Sequence, residues 1–142
     1  MKETLYTTSA TTAGGRTGKA ATNDGKVILD LSLPKELGGE GGAGTDPEQL
    51  FAMGYSACYG SALQHVAAQK KVDLGEFTVS AEVTLGKSEE GDFELAVVLD
   101  TYIPGIELEL GEELINEAHE VCPYSRATED NIDVTLNLLL DE

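Results

Sequence analysis

From Thr45 to Lys71 the chain reads TDPEQLFAMGYSACYGSALQHVAAQKK, with apolar and small residues returning at helical spacing. Leu50, Phe51, Gly54, Cys58, Ala62 and His65 fall on one side, with Tyr55 and Val66 beside them. Asp46 suits an N-cap, Pro47 the first helical position, and Gln49 completes a capping-box pattern. Lys70 and Lys71 stand at the negative end of the helix dipole. The pattern predicts one long helix with Cys58 near its middle, on a face kept small by Gly54, Gly60 and several alanines.

Elsewhere the period is two. Leu5–Ala13 and Arg16–Ala21 read as short extended pieces separated by Gly14-Gly15. Asn23-Asp24-Gly25 signals a tight turn into Lys26–Leu33, where Val27, Leu29, Leu31 and Leu33 alternate with their neighbours. The glycine-rich stretch GGEGGAGT, residues 38–45, reads either as a linker or as a mobile loop beside a site. After the long helix, Phe77–Leu85 alternates cleanly, Glu89–Asp92 turns, and Phe93–Ile103 returns as a hairpin partner. Gly111–Cys122 predicts a second helix, with Leu114, Ala118 and Val121 inward and Glu112 and Glu113 in its first turn. Ile132, Val134, Leu136, Leu138 and Leu140 predict a last strand. The order βββ-α-ββ-α-β is an α+β fold. At 142 residues it is expected to form a single domain spanning 1–142.

Charge narrows the partners. The net charge of −17 falls entirely on residues 72–142, which carry two Lys/Arg against nineteen Asp/Glu. Such a surface disfavours nucleic acid and anionic membranes. Neither a signal-peptide core nor an apolar run of membrane-spanning length is present, so the expected location is the cytoplasm. In a reducing compartment two cysteines point to redox or catalytic use, or to plain burial.

Cys58 and Cys122 fall on different predicted helices, 64 residues apart. Cys58 lies eleven residues past Pro47, too far for the helix dipole to lower its pKa, while burial would raise it. A reactive thiolate there needs a cation. Arg16, in GGRTG, can turn inward between glycines, or it is a surface arginine on a hairpin. Glu48, in the first turn of the Cys58 helix, can hold a guanidinium by two hydrogen bonds, or simply complement the dipole. His65 is about two turns from Cys58, roughly 10 Å along the axis, beyond direct contact. His119 and Cys122 are one turn apart, but the sequence supplies no paired-cysteine motif to complete a metal site. Leu50, Phe51 and Met53 can line an apolar pocket or pack in the core.

Three ordered motifs carry a family resemblance: GGRTG, DPEQLFAMGYSAC and HEVCPYSRATEDNIDV. Together they resemble the organic hydroperoxide resistance proteins, the Ohr branch of the OsmC-like superfamily, over nearly the whole chain. The resemblance implies Cys58 as peroxidatic thiolate, Cys122 as resolving thiol, Arg16 as activator of the thiolate and Glu48 as the residue orienting Arg16. It implies an intertwined homodimer in which sheets wrap two central helices. It also implies reduction of organic and fatty-acid hydroperoxides, with a dihydrolipoyl dithiol, free or on a lipoylated protein, as external reductant. No bound cofactor and no metal are implied. Two positions depart from the family pattern: Asp46 stands where asparagine is frequent, and Glu129-Asp130 stand where a basic residue and glycine are expected. A reversible-disulfide sensor or binding protein without turnover would use the same cysteines. A cysteine acyl-transfer enzyme would need a histidine base that the spacing does not supply.

Overall fold

The computed structural model describes residues 1–141. Its contacts divide the chain into two units, Met1–Leu50 and Phe51–Glu142. Three strands, β1 (Ala10–Ala13), β2 (Lys19–Thr22) and β3 (Ile28–Asp30), precede a long helix, α1 (Pro47–Gln69). Then come β4 (Thr78–Lys87), β5 (Phe93–Tyr102), α2 (Leu108–Val121), α3 (Pro123–Thr128) and β6 (Asp133–Leu139). The α+β order agrees with the sequence pattern, with one added helix. Among the described residues no helix is long and apolar enough to cross a membrane.

In the first unit β1, β2 and β3 form an antiparallel sheet, with Ala10 opposite Thr22 and Lys19 opposite Asp30. The β1–β2 connection is a 3-10 turn, Gly15–Thr17, that carries Arg16. Its tightness requires Gly18, because a Cβ there would lie 1.6 Å from the Ala13 carbonyl oxygen. The β2–β3 turn is held by Asp24, whose Oδ1 accepts from Thr22 Oγ1 at 2.8 Å and from the Lys26 N–H at 3.0 Å. The glycine-rich stretch is neither a free linker nor an unheld loop. The Gly41 N–H donates to Leu33 O, the Gly44 N–H to Ser32 Oγ and the Thr45 N–H to Asp30 O, each within 3.0 Å. Its glycines permit close backbone approach: a Cβ on Gly44 would meet the Asp30 carbonyl oxygen at 2.7 Å.

The cap of α1 matches the expectation in part. Asp46 Oδ1 accepts from the Gln49 N–H at 2.8 Å. The Gln49 side chain, however, takes the Thr45 hydroxyl at 2.8 Å instead of closing a capping box.

In the second unit β5 is central, antiparallel to β4 and parallel to β6. Ala81, Leu99 and Leu136 form one row across the sheet, and Val83, Val97 and Val134 another. Alternation sends these residues to one face and polar neighbours to the other. The core lies between this face and the helices. From α1 it takes Tyr55, Tyr59, Ala62, Leu63, Val66 and Ala67; His65, expected on the inner side, is exposed. The buried stripe runs through the two tyrosines because their hydroxyls find partners inside. Tyr59 Oη donates to the Ile115 carbonyl at 2.7 Å. Leaving such a hydroxyl unpaired would cost about 1–3 kcal/mol.

Helix α2 starts at Leu108, three residues before its predicted start, so its first-turn acid is Glu109, not Glu112 or Glu113. Its inner stripe is Gly111, Leu114, Ile115 and Ala118, which leaves Val121 at the rim and exposed. Glu113 and Glu117 instead hold Lys70, with N–O distances of 3.4 and 3.2 Å. Helix α2 ends at Val121, just before Pro123, and Pro123 then opens the separate helix α3 as its first residue, where its missing N–H costs no bond. Asp130 adopts a left-handed φ of 57°, a conformation that aspartate visits as a single residue.

Candidate functional site

Two pairs of the predicted site residues meet, each within one unit. In the first, Arg16 donates to Glu48 through both terminal nitrogens, Nη1 to Oε1 at 2.7 Å and Nη2 to Oε2 at 2.8 Å. The 3-10 turn aims the arginine, and the first turn of α1 presents the carboxylate. This fork geometry is the strong form of ion pair. It spends two of the five guanidinium N–H donors and leaves three for an anion. Both side chains stay partly exposed, and Glu48 also lies in the first turn of α1.

Hydrogen bonding to Arg16 holds the Glu48 carboxyl below its ordinary range, and Glu48 raises Arg16 in turn. Because the folded value of Glu48 lies below the unfolded one, the pair stabilises the fold above the ordinary glutamate range. That contribution is lost as pH falls through and below this range. The thermal stability gap between wild type and Glu48→Gln is therefore expected to be open at neutral pH and to narrow below about pH 4. A gap constant from neutral pH into acid would show that the ion pair adds nothing.

In the second unit the sulfurs of Cys58, mid-α1, and Cys122, at the α2–α3 corner, lie 3.6 Å apart, with Cys122 donating. Both are free thiols. Cys122 is 0% exposed, whereas Cys58 is partly exposed, so an entering reagent reaches Cys58 first. Cys122 is held from both sides: its N–H donates to Ala118 O at 2.9 Å and its carbonyl accepts from the Arg126 N–H at 3.0 Å. Burial pushes the Cys58 thiol up, the Tyr124 backbone N–H pulls against that, and the neighbouring Cys122 adds to the rise. A cation is what this thiol needs in order to ionise.

The three pocket residues part company. Leu50 lines an apolar depression of about 140 Å³ in the first unit with Ala20, Ala21, Val27 and Leu29. Phe51 stacks on Tyr124, with ring centroids 6.1 Å apart and planes 17° from parallel, and meets Tyr55 at 5.7 Å. Met53 is 56% exposed and turned about 140° round the helix from Cys58, so this chain does not bring it to the thiol.

Sequence reasoning missed Tyr124, whose ring lies over Gly54; a Cβ on that glycine would meet its hydroxyl at 3.0 Å. It also left Tyr55, His119 and Ser125 without a joint role. Ser125 Oγ meets both Tyr55 Oη and His119 Nδ1 at 2.8 Å. The available signal was their placement three residues from a cysteine: Tyr55 before Cys58, His119 before Cys122 and Ser125 after it.

Residues 39–137, which include Glu48, Cys58 and Cys122, match the family described as OsmC-like protein. The chain is 48% identical over 138 residues to the organic hydroperoxide resistance protein of Xanthomonas axonopodis pv. citri (strain 306), covering 96% of both. An organic hydroperoxide resistance protein from Legionella pneumophila superposes with a TM-score of 0.91 at 48% identity, over 97% of this chain and 100% of the other. One from Elizabethkingia anophelis, crystallised with thiocyanate bound, gives 0.92 at 46% identity, over 99% and 100%.

Proposed function

Since the chain belongs to the OsmC-like family, in its organic hydroperoxide resistance branch, we propose that it is a thiol peroxidase that reduces organic hydroperoxides to alcohols. The observation that carries the reading is the 3.6 Å approach of two free cysteine sulfurs, one partly exposed and one buried behind it.

The Cys58 thiolate attacks the distal peroxide oxygen. The O–O bond breaks, the alkoxide leaves and takes a proton to become the alcohol, and Cys58 is left as a sulfenic acid. Cys122 then attacks the Cys58 sulfur. An S–S bond forms, hydroxide leaves and takes the Cys122 proton, and water is released. A dihydrolipoyl dithiol, free or protein-borne, reopens the disulfide by exchange and returns both thiols.

Arg16 is the cation this chemistry assigns to the thiolate and to the charge developing on the peroxide oxygens. Glu48 fixes its orientation, since a forked pair leaves the remaining N–H donors in a set direction. Arg16→Ala is expected to slow the first oxidation of Cys58 by about 10²-fold at neutral pH and to move its pH dependence upward. A pH–rate profile identical to wild type would remove Arg16 from the mechanism. The aromatic group of Phe51 and Tyr124 offers an apolar surface to an alkyl or acyl tail. A homodimer belongs to the same reading and is supported by the exposed Leu5, Tyr6 and Ile28 in the first unit; sedimentation tests it.

The deciding experiment supplies dihydrolipoamide to the reduced protein and compares an alkyl hydroperoxide with hydrogen peroxide. Many equivalents consumed with an alkyl preference are expected. One equivalent consumed, with a Cys58–Cys122 disulfide by mass and no turnover with any dithiol, would assign the chain to sensing.

A further inference from the structure

The reaction uses Cys122 but leaves the buried polar group around it unexplained. Ser125 is 2% exposed, Tyr55 0% and Thr128 7%. Their hydroxyls form one connected set with His119: Ser125 Oγ lies 2.8 Å from His119 Nδ1 and 2.8 Å from Tyr55 Oη, and Tyr55 Oη lies 3.3 Å from Thr128 Oγ1. The set spans the three helices that matter for disulfide closure. Tyr55 sits one turn before Cys58 on α1, His119 one turn before Cys122 on α2, and Ser125 three residues after it on α3. We propose that Tyr55, Ser125 and His119 are positioning residues that clamp the α2–α3 corner to α1 and so deliver Cys122 to an oxidised Cys58. The inference rests on the reading that Cys122 closes onto Cys58.

Proton counting shows why the clamp is rigid. Thr128 spends its hydroxyl proton on the Ser125 carbonyl at 3.1 Å, so it can only accept from Tyr55. If His119 Nδ1 is bare, Tyr55 donates to Ser125 and Ser125 donates to the ring. If Nδ1 carries a proton, the ring donates to Ser125, Ser125 to Tyr55 and Tyr55 to Thr128. Both directions keep the Tyr55–Ser125–His119 links and leave each hydroxyl of the set a partner, the Tyr55–Thr128 bond forming only in the second, so the clamp holds whichever ring nitrogen carries the proton. The corner needs this support because Cys122 belongs to neither helix: with φ −64° and ψ 123° it is the last cap of α2 and the first of α3. The angle between those helices sets where its sulfur points. Ser125 and His119 span that angle directly, and Tyr55 ties it to the helix bearing Cys58.

Closure can be read without peroxide. Dithiodipyridine, a neutral aromatic disulfide, is added to the reduced full-length protein. The exposed member of the pair, Cys58, forms a mixed disulfide and releases one thiopyridone. Cys122 then attacks the Cys58 sulfur, forming the internal disulfide and expelling the second thiopyridone, at a rate independent of reagent concentration. The ratio of second to first phase is expected to fall about tenfold in Ser125→Ala and Tyr55→Phe and at least threefold in His119→Ala. His119→Asn, whose amide nitrogen stands near the Nδ1 position, is expected to recover most of that loss. Tyr55→Phe removes one oxygen only and keeps the test open if Ser125→Ala does not fold. A ratio within twofold of wild type in folded Tyr55→Phe and His119→Ala, with only the melting temperature lowered, would overturn the proposal and leave the network a stability element. Because no peroxide enters, a failed peroxidase reading shows separately, as absent turnover in the wild type.

Discussion

Cys58→Ser is expected to lower hydroperoxide turnover by about 10³-fold or more, with the fold intact. Serine preserves shape and hydrogen bonding but not the chemistry: its hydroxyl does not ionise near neutral pH, and oxygen does not pass through a sulfenic acid. The remaining sulfur cannot substitute. Cys122 is 0% exposed and sits behind Cys58, so a bulky organic peroxide has no path to it. The measurement is alkyl hydroperoxide consumption with dihydrolipoamide, alongside the melting temperature. Full turnover in Cys58→Ser would end the thiol peroxidase reading, whatever the family.

Cys122→Ser is expected to separate the two halves of the cycle. The first oxidation of Cys58 proceeds, because the groups that act on that sulfur remain: the Tyr124 N–H within the second unit and, on the proposed mechanism, Arg16. The sulfenic acid then has no thiol at 3.6 Å to condense with. Sustained turnover is expected to fall by about tenfold or more, and Cys58 to accumulate as sulfinic acid with each excess of peroxide. Intact-mass measurement after graded peroxide additions reads this directly, as two added oxygens per chain in the variant against loss of two hydrogens in the wild type. Wild-type turnover without overoxidation would show that the external dithiol reduces the sulfenic acid itself and that Cys122 is dispensable.

Both predictions descend from a contact made by residues 64 positions apart, and that is where sequence reasoning reaches its limit. Local signals were legible because local physics produces them. The Asp46-Pro47 start, the apolar period of three to four and the two-residue alternation of β4, β5 and β6 each act within a few neighbours. The Arg16 and Glu48 roles came from chemical need and resemblance; the forked contact between them, across 32 positions, is a tertiary result.

The errors have the same origin. The pattern puts His65 inward and Val121 in the core, whereas both are exposed, because periodicity fixes a helical face only to within about one residue's rotation. Partners then chose the exact stripe: the Tyr59 hydroxyl finds the Ile115 carbonyl, and Ile115 joins the buried core while Val121 stays exposed. The linker-like glycines turned out to be pinned because hydrogen bonds to Ser32, Leu33 and Asp30 cannot be seen from composition. The short helix α3 is not visible in the sequence because its six residues are too few to show a helical period.

By itself, then, the chain's sequence determined the element types, the long helix bearing Cys58, the acidic bias of residues 72–142 and, through three ordered motifs, the family. Tertiary structure alone decided that Cys122 is the buried partner of a partly exposed Cys58, that Glu48 holds Arg16 by a forked pair, and that Tyr55, Ser125 and His119 join around the α2–α3 corner. Periodicity encodes direction relative to a single element. Distance between elements is set by packing many side chains at once, and no local pattern contains it.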